Sequence, residues 1–263
     1  MKKIFTGVLF LGLALASTAQ QKEGKVTYER SSQMQISING AGTEPITHNR
    51  TDRFELNFAN NQMSWQQLPD DIQQNAGTLE GSGGIVIRNL AGGSDDLVFV
   101  DFNKERKVEA REFFDKKFLI SDSIRRGHWK LSDETKTILG LPCRKATTER
   151  VSKRMSVQME NGKMERKEVN DTSEVIAWFT LSIPVPAGPD LQGQLPGLVL
   201  ELEMNKGKTV YRAVEIKEKA DKGSIKEPTK GKKVTPDEFA TERTKMLEQM
   251  QQNNGGSIRF RAG

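Results

Sequence analysis

The chain of 263 residues has a single cysteine, Cys143. One thiol cannot close an internal disulfide, so packing must hold the fold together even in an oxidising compartment. Histidine is nearly as scarce. His48 and His128 are the only two, and neither has a second His, Cys or carboxylate at a metal-ligand spacing. No zinc motif exists in the sequence, although Cys143 and a histidine could still meet in space. No G-x-S-x-G elbow occurs, and the Gly-rich runs at 81–84 and 92–93 lack the Lys-Ser/Thr that completes a phosphate loop. The paired carboxylates Asp70-Asp71 and Asp95-Asp96 stand in polar loops, where such groups are usually solvated. Beyond residue 16 no apolar run approaches the roughly 20 residues that cross a bilayer, so no transmembrane span is expected. No catalytic residue, metal ligand or cofactor is assigned from these patterns.

What the chain does have begins at its N-terminus. Lys2 and Lys3 precede an apolar run from Ile4 to Ala16, followed by the small residues Ser17-Thr18-Ala19. Basic segment, short apolar segment and small-residue site together predict a signal peptide over 1–19, cleaved near Ala19. No cysteine follows to carry a lipid anchor. Periplasmic or secreted localisation is the expectation. The net charge of +5 falls to +3 when Lys2 and Lys3 leave. Positive and negative residues are interspersed, with no basic stripe interleaved by aromatics, so nucleic-acid binding is not expected.

Hydrophobic residues make up 35% and charged residues 29%, a thin core under a large wet surface, which suits an all-β chain. Most of residues 20–217 alternates with the period of two that marks strands. Val26 and Tyr28 share one parity, as do Phe54, Leu56 and Phe58. Residues 97–102 and 107–120 read as a hairpin joined at Asn103–Arg106. Ile85-Val86-Ile87 is a candidate short strand within the polar stretch 68–95. Asn161-Gly162 is a strong hairpin signal. Folding there sets Glu160 opposite Lys163, Met159 opposite Met164, Thr147 opposite Ile176 and Ala146 opposite Ala177. The polar tip, 150–170, then projects beyond the core; the alternative is a loop. In LVLELEM, 198–204, the Leu198 parity predicts a buried face and the Glu201 parity a wet one, as in an antiparallel sheet. The expected fold is mainly β: a curved antiparallel, half-barrel-like sheet of roughly eight strands with a C-terminal helix.

Residues 218–234 read as a Lys-, Glu- and Gly-rich linker, and 235–263 as a helix and tail. Thr235 is the expected N-cap, Pro236 the first helical residue, and Glu238 the partner of a capping box. Phe239, Met246 or Leu247, and Met250 form an apolar stripe that docks on the sheet or on a partner.

The stretch 137–204 carries a family resemblance. Leu139-Gly140, Cys143, Ala146, Ala177-Trp178-Phe179-Thr180, Ile183-Pro184, Gly188-Pro189 and Gln194-Leu195-Pro196-Gly197-Leu198-Val199 resemble the GLPGLI family of exported bacterial proteins. The chain departs from the pattern at Gln194, at Val199 and in the length of the 150–170 arm. The resemblance implies export, a curved sheet similar to the half-barrels of periplasmic lipoprotein carriers, no established activity, and genes often neighbouring outer-membrane transport or receptor proteins. Leu195, Pro196, Gly197 and Leu198 are the site residues it singles out. Physically they read as a shape-setting turn first and a ligand contact second. Pro196 suits the second position of a type II turn, which places Gly197 at positive φ.

These features predict an exported, non-enzymatic binding or accessory protein of the cell envelope. Its expected partner is an outer-membrane or envelope protein, or an apolar ligand. The competing expectation is a hydrolase or processing enzyme using Cys143 or loop carboxylates.

Overall fold

A computed structural model of the chain describes residues 21–36, 46–68, 96–160 and 163–253. The expected signal segment at 1–19, the candidate strand at 85–87 and residues 254–263 lie outside the described residues. Among these the chain forms twelve strands in one sheet. They are β1 (Gly24–Ile36), β2 (Ile46–Ala59), β3 (Gln62–Gln67), β4 (Leu97–Asp101), β5 (Arg106–Phe113), β6 (Lys116–Ser123), β7 (Lys130–Ile138), β8 (Leu141–Glu160), β9 (Lys163–Thr180), β10 (Leu198–Met204), β11 (Thr209–Lys217) and β12 (Lys232–Val234), followed by the helix α1 (Pro236–Asn253).

The order across the sheet is β12-β6-β5-β4-β3-β2-β1-β11-β10-β9-β8-β7. Two antiparallel meanders, β1 to β6 and β7 to β11, join where β1 pairs with β11, Lys25 opposite Lys217 through Ser32 opposite Thr209. The curled sheet stays open, with β7 and β12 at its two ends. β12 pairs with β6 in parallel, a direction possible because residues 218–231 carry the chain back across the sheet.

The mainly β class with a C-terminal helix is as expected, but the strand count exceeds eight for identifiable reasons. Phe114, at φ 52°, turns the chain between Phe113 and Lys116 and splits the expected 107–120 strand into β5 and β6. Asn60 and Asn61, at φ 52° and 57°, close a tight β2–β3 hairpin. Asparagine tolerates this left-handed region. β7 is polar on both faces and β12 has three residues, so neither carries an alternating signal.

The inner face holds one continuous core: Val26, Tyr28, Leu56, Phe58, Met63, Ala177, Phe179 and Leu202 from the strands, and Ile183, Ala187, Leu191 and Leu195 from the segment between β9 and β10. That segment is not a strand. Val185 N–H donates to Ile183 O at 2.8 Å and Ala187 N–H to Val185 O at 2.7 Å, three-residue turns that fit a Pro-rich stretch unable to sustain a ladder. The buried Tyr28 hydroxyl donates to Val199 O at 2.7 Å and ties β1 to β10, and burial pushes its pKa up. A second cluster, Phe113, Phe118, Ile120, Val234 and Met246, forms where α1 lies on β6 and β12, with Phe239 against it.

The register from Asn161-Gly162 holds throughout. Glu160 faces Lys163, Met159 faces Met164, Thr147 faces Ile176, and Ala146 faces Ala177. β7 pairs with β8 only as far as Thr147 and β10 with β9 only as far as Ile176, so beyond these rungs β8 and β9 pair with each other alone. The β10 alternation is only partly as read. A bulge between Val199 and Glu201 breaks the register with β9, and Val199 and Glu201 are buried along with the leucines. Glu201 is accommodated by ion pairs with Lys136 at 2.6 Å and Arg212 at 3.0 Å, and Lys136 also sits 4.3 Å over the Trp178 ring. Burial alone would raise the Glu201 pKa; the hydrogen bonds from Lys136 and Arg212 outweigh it and hold the carboxyl below its ordinary value.

Of the stretch 218–234 read as a linker, Lys232–Val234 form β12, and 218–231 are seated on the outer face of the sheet. Asp221 N–H donates to Asn57 Oδ1 at 2.9 Å, the Ser64 and Ser224 hydroxyls are 3.4 Å apart, and Arg106 pairs with Glu227. Helix α1 starts as the capping box predicts. Glu238 N–H donates to Thr235 Oγ1 at 3.2 Å, and Thr235 N–H to the Glu238 carboxylate at 2.7 Å. Thr235→Ala is expected to cost about 1 kcal/mol, the usual worth of an N-cap. Chemical denaturation of the two proteins measures it.

Candidate functional site

The singled-out motif is built into the core. Leu195 and Leu198 are 3% and 0% exposed, Gly197 is buried, and only Pro196 is exposed. Gly197 does not have the positive φ expected of a type II turn; among the described residues the glycines with positive φ are Gly140, Gly193, Gly207 and Gly231. Glycine is required there for space instead. A Cβ on Gly197 would lie 2.1 Å from Thr180 O and 2.9 Å from Thr180 C, where β10 starts against the end of β9. Gln194, where the chain departs from the motif, accepts the Trp129 indole N–H at 3.1 Å and so ties the crossing segment to the start of β7.

Cys143 is fully buried in the main hydrophobic cluster, opposite Lys136 of β7, and burial raises its thiol pKa, the reverse of what a thiolate nucleophile needs. We expect Cys143→Ala to cost about 1 kcal/mol, as small core truncations do. Native Cys143 should label with a maleimide far more slowly than the urea-unfolded chain; equal rates would contradict its burial. His128 is exposed, and among the described residues no group of three His, Cys, Asp or Glu is placed to hold a metal ion.

An open cleft of about 510 Å³ lies at one end of the inner face. Its floor is β5. Alternation along that strand puts Lys107, Glu109 and Arg111 into the cleft and sends Val108 to the outer face. The walls are the end of β6 at 122–123 and residues 124–125 after it, Arg150 of β8, Asp190, Gln192 and Gln194 of the crossing segment, and Pro236, Phe239 and Arg243 of α1. Lys107 Nζ lies 2.6 Å from Glu109 and Arg111 3.0 Å from it, while Arg125 pairs with Asp122 at 3.3 Å. Burial alone would raise the Glu109 pKa, but Lys107 and Arg111 outweigh it and keep the carboxyl below its ordinary value. Arg150 contacts the Met204 sulfur at 3.7 Å. Among the described residues neither Arg150 nor Arg243 has a carboxylate partner. None of these residues stands out in the sequence. They come from segments more than a hundred residues apart, and only the fold brings them together.

Beside the cleft the core turns ionic. Asp52, wholly buried, receives Arg30 at 2.6 Å and Arg50 at 2.7 Å, and Gln67 donates to it at 3.2 Å. Arg30 lies 4.8 Å over the Phe54 ring, which stacks on Trp65 at 5.0 Å.

The architecture is thus an open curled sheet with a ligand-sized cleft at one end of its inner face. A family model described as "Protein of unknown function (Porph_ging)" matches residues 129–201, which run from Trp129 through β7, β8, β9 and the motif to Glu201 in β10. No curated protein sequence matches the chain. A solved structure of PNGF-II in space group P21 is similar in fold over 85% of this chain, with a TM-score of 0.50 and 16% identity. A second PNGF-II structure, in space group C2, aligns over 84% with a TM-score of 0.45 and 17% identity. The chain spans about a third of the PNGF-II length, 34% and 33% in the two cases. The likeness is one of fold alone.

Proposed function

We propose that this chain is an exported, non-enzymatic binding protein of the cell envelope, of the GLPGLI kind, serving an outer-membrane transport system. The cleft is the observation that carries the binding reading. Its 510 Å³ falls in the range of small-molecule sites, and its polar groups converge from five parts of the chain beside an apolar core. The tripartite N-terminus at 1–19 supports export. Against an enzyme, the buried Cys143 thiol lies away from the cleft and is poorly ionised. The test is purification of the tagged protein from native envelopes under mild conditions. Mass spectrometry then reads the mature N-terminus and any co-purified small molecule or protein. A start near residue 20 with a bound ligand or envelope partner is the expected result. An intact Met1, or turnover of a substrate by the purified protein, would count against the proposal.

A further inference from the structure

The chemistry of the cleft goes further than its size. Along β2, β3 and β4 most positions of the inner face are apolar, Leu56 and Phe58, Met63 and Trp65, Val98 and Val100, with Asp52 and its arginines a mutually paired exception. At β5 the same face switches to Lys107, Glu109 and Arg111. Charges on an inner face require an opposite charge, water or a charged ligand beside them. Five cationic side chains line the cleft, Lys107, Arg111, Arg125, Arg150 and Arg243, against three carboxylates, Glu109, Asp122 and Asp190. Glu109 and Asp122 are already neutralised by cations of the same cleft. The charge left over is on Arg150 and Arg243, which reach it from β8 and from α1, with Asp190 as the one opposing group. Guanidinium groups suit oxyanions, which they bind through paired N–H donors. Ile120, Ile124 and Phe239 give the same cleft an apolar wall.

Resting on the binding reading above, we infer that the cleft takes a small organic oxyanion, a carboxylate or a phosphate ester, bearing a compact apolar group. Arg150 and Arg243 hold the anionic end and Phe239 contacts the apolar end. Asp190 weakens the affinity.

Calorimetry with four probes sharing one ring tests this: 2-naphthoate, 1-naphthyl phosphate, 2-naphthol and 2-naphthylmethylammonium. At least one anion is expected to bind tenfold or more tightly than the neutral and cationic probes, and the ratio of the two anions tells carboxylate from phosphate. The Arg150→Gln/Arg243→Gln double variant is expected to lose at least tenfold for the anion, and Asp190→Asn to gain severalfold. Both arginines are exposed, so the variants should melt with the parent, which a thermal scan checks. Equal binding of all four probes, or an unchanged double variant, overturns the anion inference while leaving a binding cleft. Failure of every probe to bind overturns the inference, and the binding reading then rests on what the envelope purification finds.

Discussion

Replacing Gly197 with valine is expected to destabilise the protein by about 3 kcal/mol, the upper part of the range for overpacking a closed site. The reason is the 2.1 Å separation between a Cβ at this position and Thr180 O. The obstructing atom is backbone, so no side chain can rotate away. Relief requires β9 and β10 to part at the rung where Leu198 faces Thr180, next to the bond from Leu198 N–H to Ile183 O at 3.0 Å. Since the first added carbon makes the clash, Gly197→Ala should cost nearly as much as valine. Gly197→Asn separates the close-approach account from a left-handed turn. Asparagine is tolerated in the left-handed region, so it would be mild if φ were the constraint; against the Thr180 carbonyl it is as harmful as alanine. Denaturant midpoints of the three variants measure this. A valine variant as stable as the parent would refute the close-approach account.

That glycine shows how legible this fold is. Residue type and neighbourhood single out 195–198, and in the fold Leu195, Gly197 and Leu198 are buried while Pro196 is exposed. The mechanism was not legible, because a contact with Thr180 across the β9–β10 rung leaves no trace in local spacing. The β8–β9 register was legible residue by residue, since a two-residue Asn-Gly turn leaves one pairing that places Ala146 against Ala177. β7 was not: Lys130–Ile138 is an edge strand whose exposed side chains place no apolar residue at every second position. The bulge at 199–201 was hidden for a related reason, as burying Glu201 depends on Lys136 and Arg212 arriving from β7 and β11.

The cleft was least legible of all. A charged run such as Lys107-Val108-Glu109-Ala110-Arg111 reads equally as a solvated outer face, and alternation alone does not say which side is inside. Pairing decides it. Val98 faces Glu109 and Val100 faces Lys107, so the charged parity of β5 shares the face of the apolar parity of β4. The 218–231 segment covers the opposite face, through Asn57 and Ser64. A compositional tether in sequence is, in the fold, the cover that lets Val108 be buried on the outside while its charged neighbours turn inward.

Asp52 is where the inner face is most exposed to a single change. Its carboxylate is wholly buried, whereas the Arg30 and Arg50 side chains that bind it remain 26% and 20% exposed. Asp52→Ala therefore leaves two guanidiniums side by side on neighbouring strands with their shared counter-charge gone. Breaking a buried ion pair from one side costs about 3–5 kcal/mol. The low end, about 3 kcal/mol, is expected here, because both arginines can partly rehydrate. Arg50→Gln should cost clearly less, since Arg30 still donates two bonds to Asp52 at 2.6 and 3.2 Å and Gln67 a third at 3.2 Å. Arg30→Met should fall between them: it removes the group stacked on Phe54 but leaves the carboxylate paired with Arg50. Urea denaturation of the three variants reads the order directly. Repeating it at high salt adds a second check, because a buried pair is screened far less than a surface one. If the loss on Asp52→Ala vanished in high salt, the carboxylate would be solvated rather than buried, and the inner face beside the cleft would be wetter than its packing indicates.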